Sequence, residues 1–153
     1  MSNPNVPAVA PAERDAGLMA HGAALGGAVI ELFTGVPFLG LAGALVAWLA
    51  TRRRGDFADD QGREAVRFQL FMSLWAIVIT IASLFALGAG ATMAGATGGA
   101  SAVAGAGVAF TLIALAGFAL SIVLFVCPAI GLYKVNKSER YRYPFTFSPR
   151  RGK

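Results

Sequence analysis

The sequence predicts an all-α protein: an integral membrane four-helix bundle with a short amphipathic surface segment and an extended aromatic and basic C-terminal tail. Three observations predict it. Of 153 residues, 56% are hydrophobic and 14% charged, whereas a soluble domain carries about 25% charged residues, so too few charges remain to cover a water-facing surface. The chain holds four apolar runs separated by polar or turn-forming stretches. Every Lys and Arg falls in segments that an even number of crossings puts on one side of a bilayer.

Taken in order, residues 1–13 are polar and Pro-rich and read as a flexible tail. No charged segment precedes the first apolar run as in a secretory signal, so the N-terminus is expected to be kept. The domain proper covers residues 14–147, with spans at about 17–33, 36–50, 68–87 and 108–133. Thr34, Gly35 and Pro37 suit a tight turn between the first two. The second run is short, because a span needs ~20 residues and ~17 at the low end. It starts inside the turn, tilts, or enters as half of a helical hairpin. Trp48 and then Arg52, Arg53 and Arg54 mark its far end.

The 55–67 stretch reads as a surface helix. Asp56, Asp59 and Asp60 stand where acidic groups complement the positive end of a helix dipole. Glu64 and Arg67, three apart, are placed to pair on one face. From 88 to 107 the chain is almost entirely Gly, Ala, Ser and Thr, which reads as a low-complexity linker or a loose loop with frayed helix ends. Pro128 lies inside the fourth run and predicts a kink or an early helix end over 124–128. Residues 148–153 form a basic end.

The basic residues lie in three places: Arg14; Arg52 to Arg67; and Lys134 to Lys153. The two remaining connections contain none. The positive-inside rule then places both termini on the cytoplasmic side of a bacterial inner membrane.

Candidate functional residues are few. Glu31 is the only acidic residue outside the cytoplasmic segments; carboxylates in lipid are costly and often functional. Against that, it lies near the end of a span, where a bond to Thr34 or a turn amide accounts for it. His21, near the start of the first span, reads as a headgroup-level hydrogen-bonding residue, with a pH-sensing role as the alternative. Gln69 is a further polar candidate inside a span. Cys127 before Pro128 reads as a small hydrophobe. Gly22 and Gly26, and Gly40 and Ala44, form small-x-x-x-small steps that suit close packing of the first two helices. In the tail, Tyr141, Tyr143, Phe145 and Phe147 alternate with Arg142, Pro144, Thr146 and Ser148. This spacing reads as an aromatic edge at the headgroup layer. Lipid or partner contacts are therefore expected at Arg52, Arg53, Arg54, Tyr141, Arg142 and Tyr143, with anionic headgroups as the ligand. The mixed-charge 55–67 segment and the basic 134–147 tail emerge on one side, and their attraction predicts a tail folded back as a cap.

No catalytic set emerges. With one His and one Cys, the chain cannot build a Cys/His metal cluster or an internal disulfide. No phosphate-binding loop is present, because 88–107 lacks both the Lys and the strand context. No cofactor, metal or nucleic acid is expected, and the protein is not read as an enzyme.

Several stretches in order resemble the Tic20-like family of small membrane proteins, also known as the DUF4870 domain. They are Met19-Ala20-His21, Val36-Pro37-Phe38-Leu39-Gly40 running to Trp48-Leu49, Glu64-Ala65-Val66-Arg67-Phe68-Gln69, and Lys134 through Pro144. Together they cover roughly residues 14–147. Against that pattern Gln61 replaces a usual His, Arg67 an Asn, Ala44 a Pro and Ser138 a Gly. The resemblance implies a four-helix membrane domain and little chemistry; plastid relatives take part in protein import, and some magnetosome membrane proteins are similar. Two function classes follow. One is a non-catalytic membrane subunit or scaffold that packs on a larger membrane protein or on copies of itself. The other is a transport or translocation component, which needs Glu31, Gln69, Ser73, Thr80 and Ser83 to share a polar interior.

Overall fold

The computed structural model describes residues 9–97, 99–144 and 146. Four α-helices follow one another: α1 Pro11–Thr34, α2 Leu39–Thr51, α3 Asp56–Thr97 and α4 Ala100–Asn136, with a 3-10 turn at Arg52–Arg54. No strand occurs among the described residues. The chain divides into two compact units, one formed by residues 1–71 and 124–153, the other by residues 72–123.

The first unit holds α1, α2, the start of α3, the end of α4 and the tail. Its core is built from small residues: Ala16, Ala20, Ala24, Ala44, Ala58 and Ala65 are all buried. Small side chains let backbones approach closely, which is how helices gain packing energy in lipid. A Cβ on Gly43 would lie 2.5 Å from the Ala23 carbonyl oxygen, and one on Gly27 would strike the Leu39 backbone. Of the two expected small-residue steps, Gly40 and Ala44 lie in this packing, a Cβ on Gly40 meeting the Ala24 carbonyl at 3.3 Å, while a Cβ on Gly26 would meet open space.

Each short helix start here is closed by a carboxylate from α1. Glu31 accepts from the Gly40 amide at 3.4 Å, in the first turn of α2, where Phe38 at the N-cap offers no side-chain bond and has a φ of 67°. Glu13 accepts from the Phe57 amide at 3.2 Å, in the first turn of α3. Helix N-termini leave amides open, and an acidic group there meets both the donors and the dipole.

The start of α1, the end of α2, the start of α3 and the end of α4 lie at one end of this unit. Glu13 reaches Phe57, Trp48 donates to Asp59 at 2.9 Å, and Gly17 packs against Val135 and Phe57.

The second unit consists of the later part of α3, the turn at Gly99 (φ 112°) and the earlier part of α4. It contains no charged residue. Its large apolar side chains point outward: Phe85 is 75% exposed, Phe118 67% and Leu84 64%. Its hydroxyls return to their own helices, Thr80 to the Ala76 carbonyl and Ser83 to Ile79. A surface of this kind is solvated by lipid.

Three sequence expectations are corrected. By length and composition three helices can cross a membrane, Pro11–Thr34, Asp56–Met93 and Gly107–Asn136. The expected second span is α2, with only 13 residues, or about 20 Å of helix against a hydrocarbon core of about 30 Å. The 88–107 stretch is not a loop: α3 runs to Thr97 and α4 begins at Ala100. Alanine is the best helix former, and in lipid a backbone without partners costs more than the glycines do. Pro128 does not end α4, which continues to Asn136. The ring removes one amide bond, a loss that buried packing at this fully buried proline tolerates.

Candidate functional site: a tail locked onto buried polar groups

The tail begins with a helix stop that redirects the chain. The Ser138 amide donates to the Val135 carbonyl and the Glu139 amide to Lys134. Ser138 itself takes a φ of 60°. This is a Schellman arrangement with serine at the left-handed position that glycine usually fills. A Lys134–Glu139 ion pair at 3.1 Å spans the same turn.

Residues 140–144 and Thr146 then lie along the first turns of α3. Arg140 and Arg142 both reach the Asp60 carboxylate, at 3.1 and 2.7 Å. Glu64 is fully buried and accepts three bonds: from the Tyr143 amide at 3.0 Å, the Thr146 hydroxyl at 2.6 Å and the Arg142 guanidinium at 3.3 Å. Glu64 therefore turns to Arg142 and the tail rather than to Arg67. A buried carboxylate without partners would be costly; three donors make it a fixed anchor.

Beneath the tail lies His21, also fully buried. The Tyr141 amide donates to Gln61 Oε1 at 3.1 Å, which fixes that atom as the amide oxygen. The same oxygen accepts from His21 Nε2 at 3.3 Å. His21 Nδ1 is left to accept from the Tyr143 hydroxyl at 2.7 Å. Tyr143 stacks on Phe68 with ring centroids 4.0 Å apart, and Tyr141 meets Tyr143 edge-on at 4.9 Å. Gly131 on α4 gives the ring its room, since a Cβ there would lie 3.0 Å from His21 Nδ1.

Burial pushes the Tyr143 phenol well above its ordinary value, helped by neighbouring groups that include the Glu64 charge. Burial likewise raises Tyr141 to about 12. For Arg142, burial opposes the charged form, but its bonds to Asp60 and Glu64 outweigh that and hold the cation above its usual value.

The sequence-derived candidates therefore scatter. His21 joins this cluster, bonded to Tyr143 and Gln61. Tyr141 and Tyr143, expected at the lipid headgroups, are buried within the protein. Arg142 is bound to Asp60 and Glu64. Phe145 and Phe147 lie outside the described residues. Arg52, Arg53 and Arg54 are exposed, Arg52 lying over the Trp48 ring at 5.8 Å. Glu31 caps α2. Gln69, buried, donates to the Ala24 carbonyl at 3.4 Å and joins α3 to α1. Cys127 is buried. Sequence reasoning placed Asp60 and Glu64 only among the charges that attract the tail, and missed Gln61 and Thr146 as anchors. The one available signal was the spacing of Asp60, Gln61 and Glu64, which puts the three on adjoining positions of a helix face.

Among the described residues no group of His, Cys, Asp and Glu is placed to hold a metal ion. A groove between α1 and α2 is lined by apolar and small residues such as Ala23, Ile30, Leu39 and Val46.

Searches of curated proteins and of solved structures returned no match. The family model for the magnetosome magnetite crystal formation protein family, MamF/MmsF, matches residues 13–149. That match overturns the resemblance to the Tic20-like family and its DUF4870 domain. The pieces behind it are short, and singly they are weakly specific. The family match covers nearly the whole chain, and the protein is thus a member of the MamF/MmsF magnetosome magnetite crystal formation family, a membrane protein of that process.

Proposed function

We propose that the protein is a non-catalytic subunit or scaffold of the membrane in which magnetite forms, anchored by its apolar helices and presenting its charged end to a membrane-protein partner or to further copies of itself. One observation carries this reading: the polar groups that chemistry or an ion path would need are consumed by structure. Glu64 is spent on the tail, Glu31 on the Gly40 amide, Gln69 on the Ala24 carbonyl, and Thr80 and Ser83 on their own helices. The alternative, a transport or translocation component, needs Glu31, Gln69, Ser73, Thr80 and Ser83 around one polar cavity; Thr80 is exposed and turned to its own helix instead.

The orientation follows the charges. An even number of crossings puts both termini on the side rich in Lys and Arg, the cytoplasmic face of the inner membrane or of a compartment derived from it. There the exposed Arg52, Arg53 and Arg54 meet anionic headgroups or a partner.

Reconstitution into vesicles tests the reading. Iron and proton flux through the purified protein should not exceed that of empty vesicles, and crosslinking from Arg53→Cys in the native membrane should capture a protein neighbour. A flux that Glu31→Gln abolishes would replace the scaffold with the transport reading.

A further inference from the structure

The α1–α2 hairpin poses a problem of length. α2 ends beside the start of α3, so the hairpin must return to the end from which it left, yet α2 has only 13 residues.

The position of the lipid boundary can be read within this unit. Residues 140–144 form a non-helical segment whose Tyr143 sits against Glu64, Phe68 and His21. Irregular backbone exposed to lipid does not occur in the hydrocarbon region. The hydrocarbon therefore begins no higher than the level of His21 on α1. From His21 to Thr34 the helix advances about 20 Å, against a core of about 30 Å.

The tip is built for lipid. Phe33 is 83% exposed, Leu32 67%, Val36 50% and Phe38 41%. Residues 32–38 contain no Lys, Arg, Trp or Tyr, the residues that anchor a loop at a headgroup layer. Four polar groups in and beside the turn are closed locally. The Gly35 amide donates to the Glu31 carbonyl at 2.8 Å, the Val36 amide to the Thr34 hydroxyl at 3.3 Å, and that hydroxyl to the Ile30 carbonyl at 2.8 Å. The Gly40 amide is taken by the Glu31 carboxylate. Each group closed in this way lowers the cost of placing the turn among acyl chains.

We propose that α1 and α2 form a re-entrant hairpin whose tip, residues 32–38, ends inside the hydrocarbon and contacts lipid acyl chains, leaving α3 and α4 as the two complete crossings. The termini remain on one side, because a re-entrant hairpin adds no crossing. Glu31 acts as the internal cap that lets the turn exist without water.

Single-cysteine variants of the full chain, built on Cys127→Ser and reconstituted into vesicles, test this. Phe33→Cys and Val36→Cys replace exposed side chains, so neither disturbs packing; Arg53→Cys and Gly95→Cys report the two faces. Expected is reaction of Arg53→Cys and Gly95→Cys with a membrane-impermeant maleimide from opposite faces. Phe33→Cys and Val36→Cys should react from neither face, even in opened vesicles. A fluorophore attached at either tip site before reconstitution should be quenched more by lipids with a nitroxide deep in the acyl chain than by lipids with one at the headgroup. Labelling of the tip from the Gly95→Cys face would mean that the hairpin crosses, and labelling from the Arg53→Cys face that it lies outside; either result overturns the proposal.

Discussion

The two units of this chain solve opposite solvent problems. The first holds every charged side chain of the described residues and ties several into its structure: Asp60 to Arg140 and Arg142, Glu64 to the tail, Asp59 to Trp48, Glu13 and Glu31 to open helix starts. The second has no charge to tie and turns Leu84, Phe85 and Phe118 outward. In the first, order comes from directional bonds between segments far apart in sequence. In the second, the bilayer does the work, and each helix satisfies its own backbone. The contrast teaches that the same apolar composition gives specific structure only where polar groups must find partners.

The largest test of that contrast removes the tail's anchor. Glu64→Ala deletes the acceptor of three bonds and should cost tail docking about 2–4 kcal/mol. Tryptic cleavage at Arg140 should then accelerate by about 30-fold or more, since each 1.4 kcal/mol is about tenfold. Leu84→Ala in the second unit should change stability by less than about 0.5 kcal/mol, because lipid takes the place of the lost side chain. Equal effects at the two sites would break the comparison.

A glycine pair gives a smaller contrast of opposite sign. A Cβ at position 43 meets the Ala23 carbonyl at 2.5 Å. Gly43→Ala must push α1 and α2 apart and should destabilise by about 1–3 kcal/mol. A Cβ at position 117 meets nothing within 4 Å. Gly117→Ala should be neutral or stabilise α4 by up to about 1 kcal/mol. Thermal denaturation of both variants in one detergent decides it; a stabilising Gly43→Ala would show that the close approach is not tight.

The smallest effect is alkaline loosening, which touches the tail alone. The folded protein holds Tyr141 near about 12 and Tyr143 also above its ordinary value, while an unfolded tyrosine ionises near ~10. The raised folded values mean that their contribution is complete below about pH 10 and is lost as pH rises toward about 12 and beyond. Tyrosinate absorbance should therefore develop later in the native protein than in Glu64→Ala. Coincident curves would mean that the tail does not bury these phenols.

Ser138 shows what a sequence leaves unmarked: its φ of 60° places it at the left-handed stop of α4, where glycine is the commoner residue. Likewise the mixed charges of 55–67 and the basic tail announced an attraction, but not that Glu64 would be the buried anchor. That depends on which face of α3 the tail meets.

Composition and apolar runs by themselves determined that the chain is helical and suited to a membrane, because lipid excludes charge and unpaired backbone whatever the tertiary arrangement. Only the tertiary structure decided that Tyr141 and Tyr143 turn inward onto His21, Gln61 and Glu64. Alternation along a strand fixes which residues share a face, but the Schellman turn at Ser138 decides whether that face meets lipid or protein.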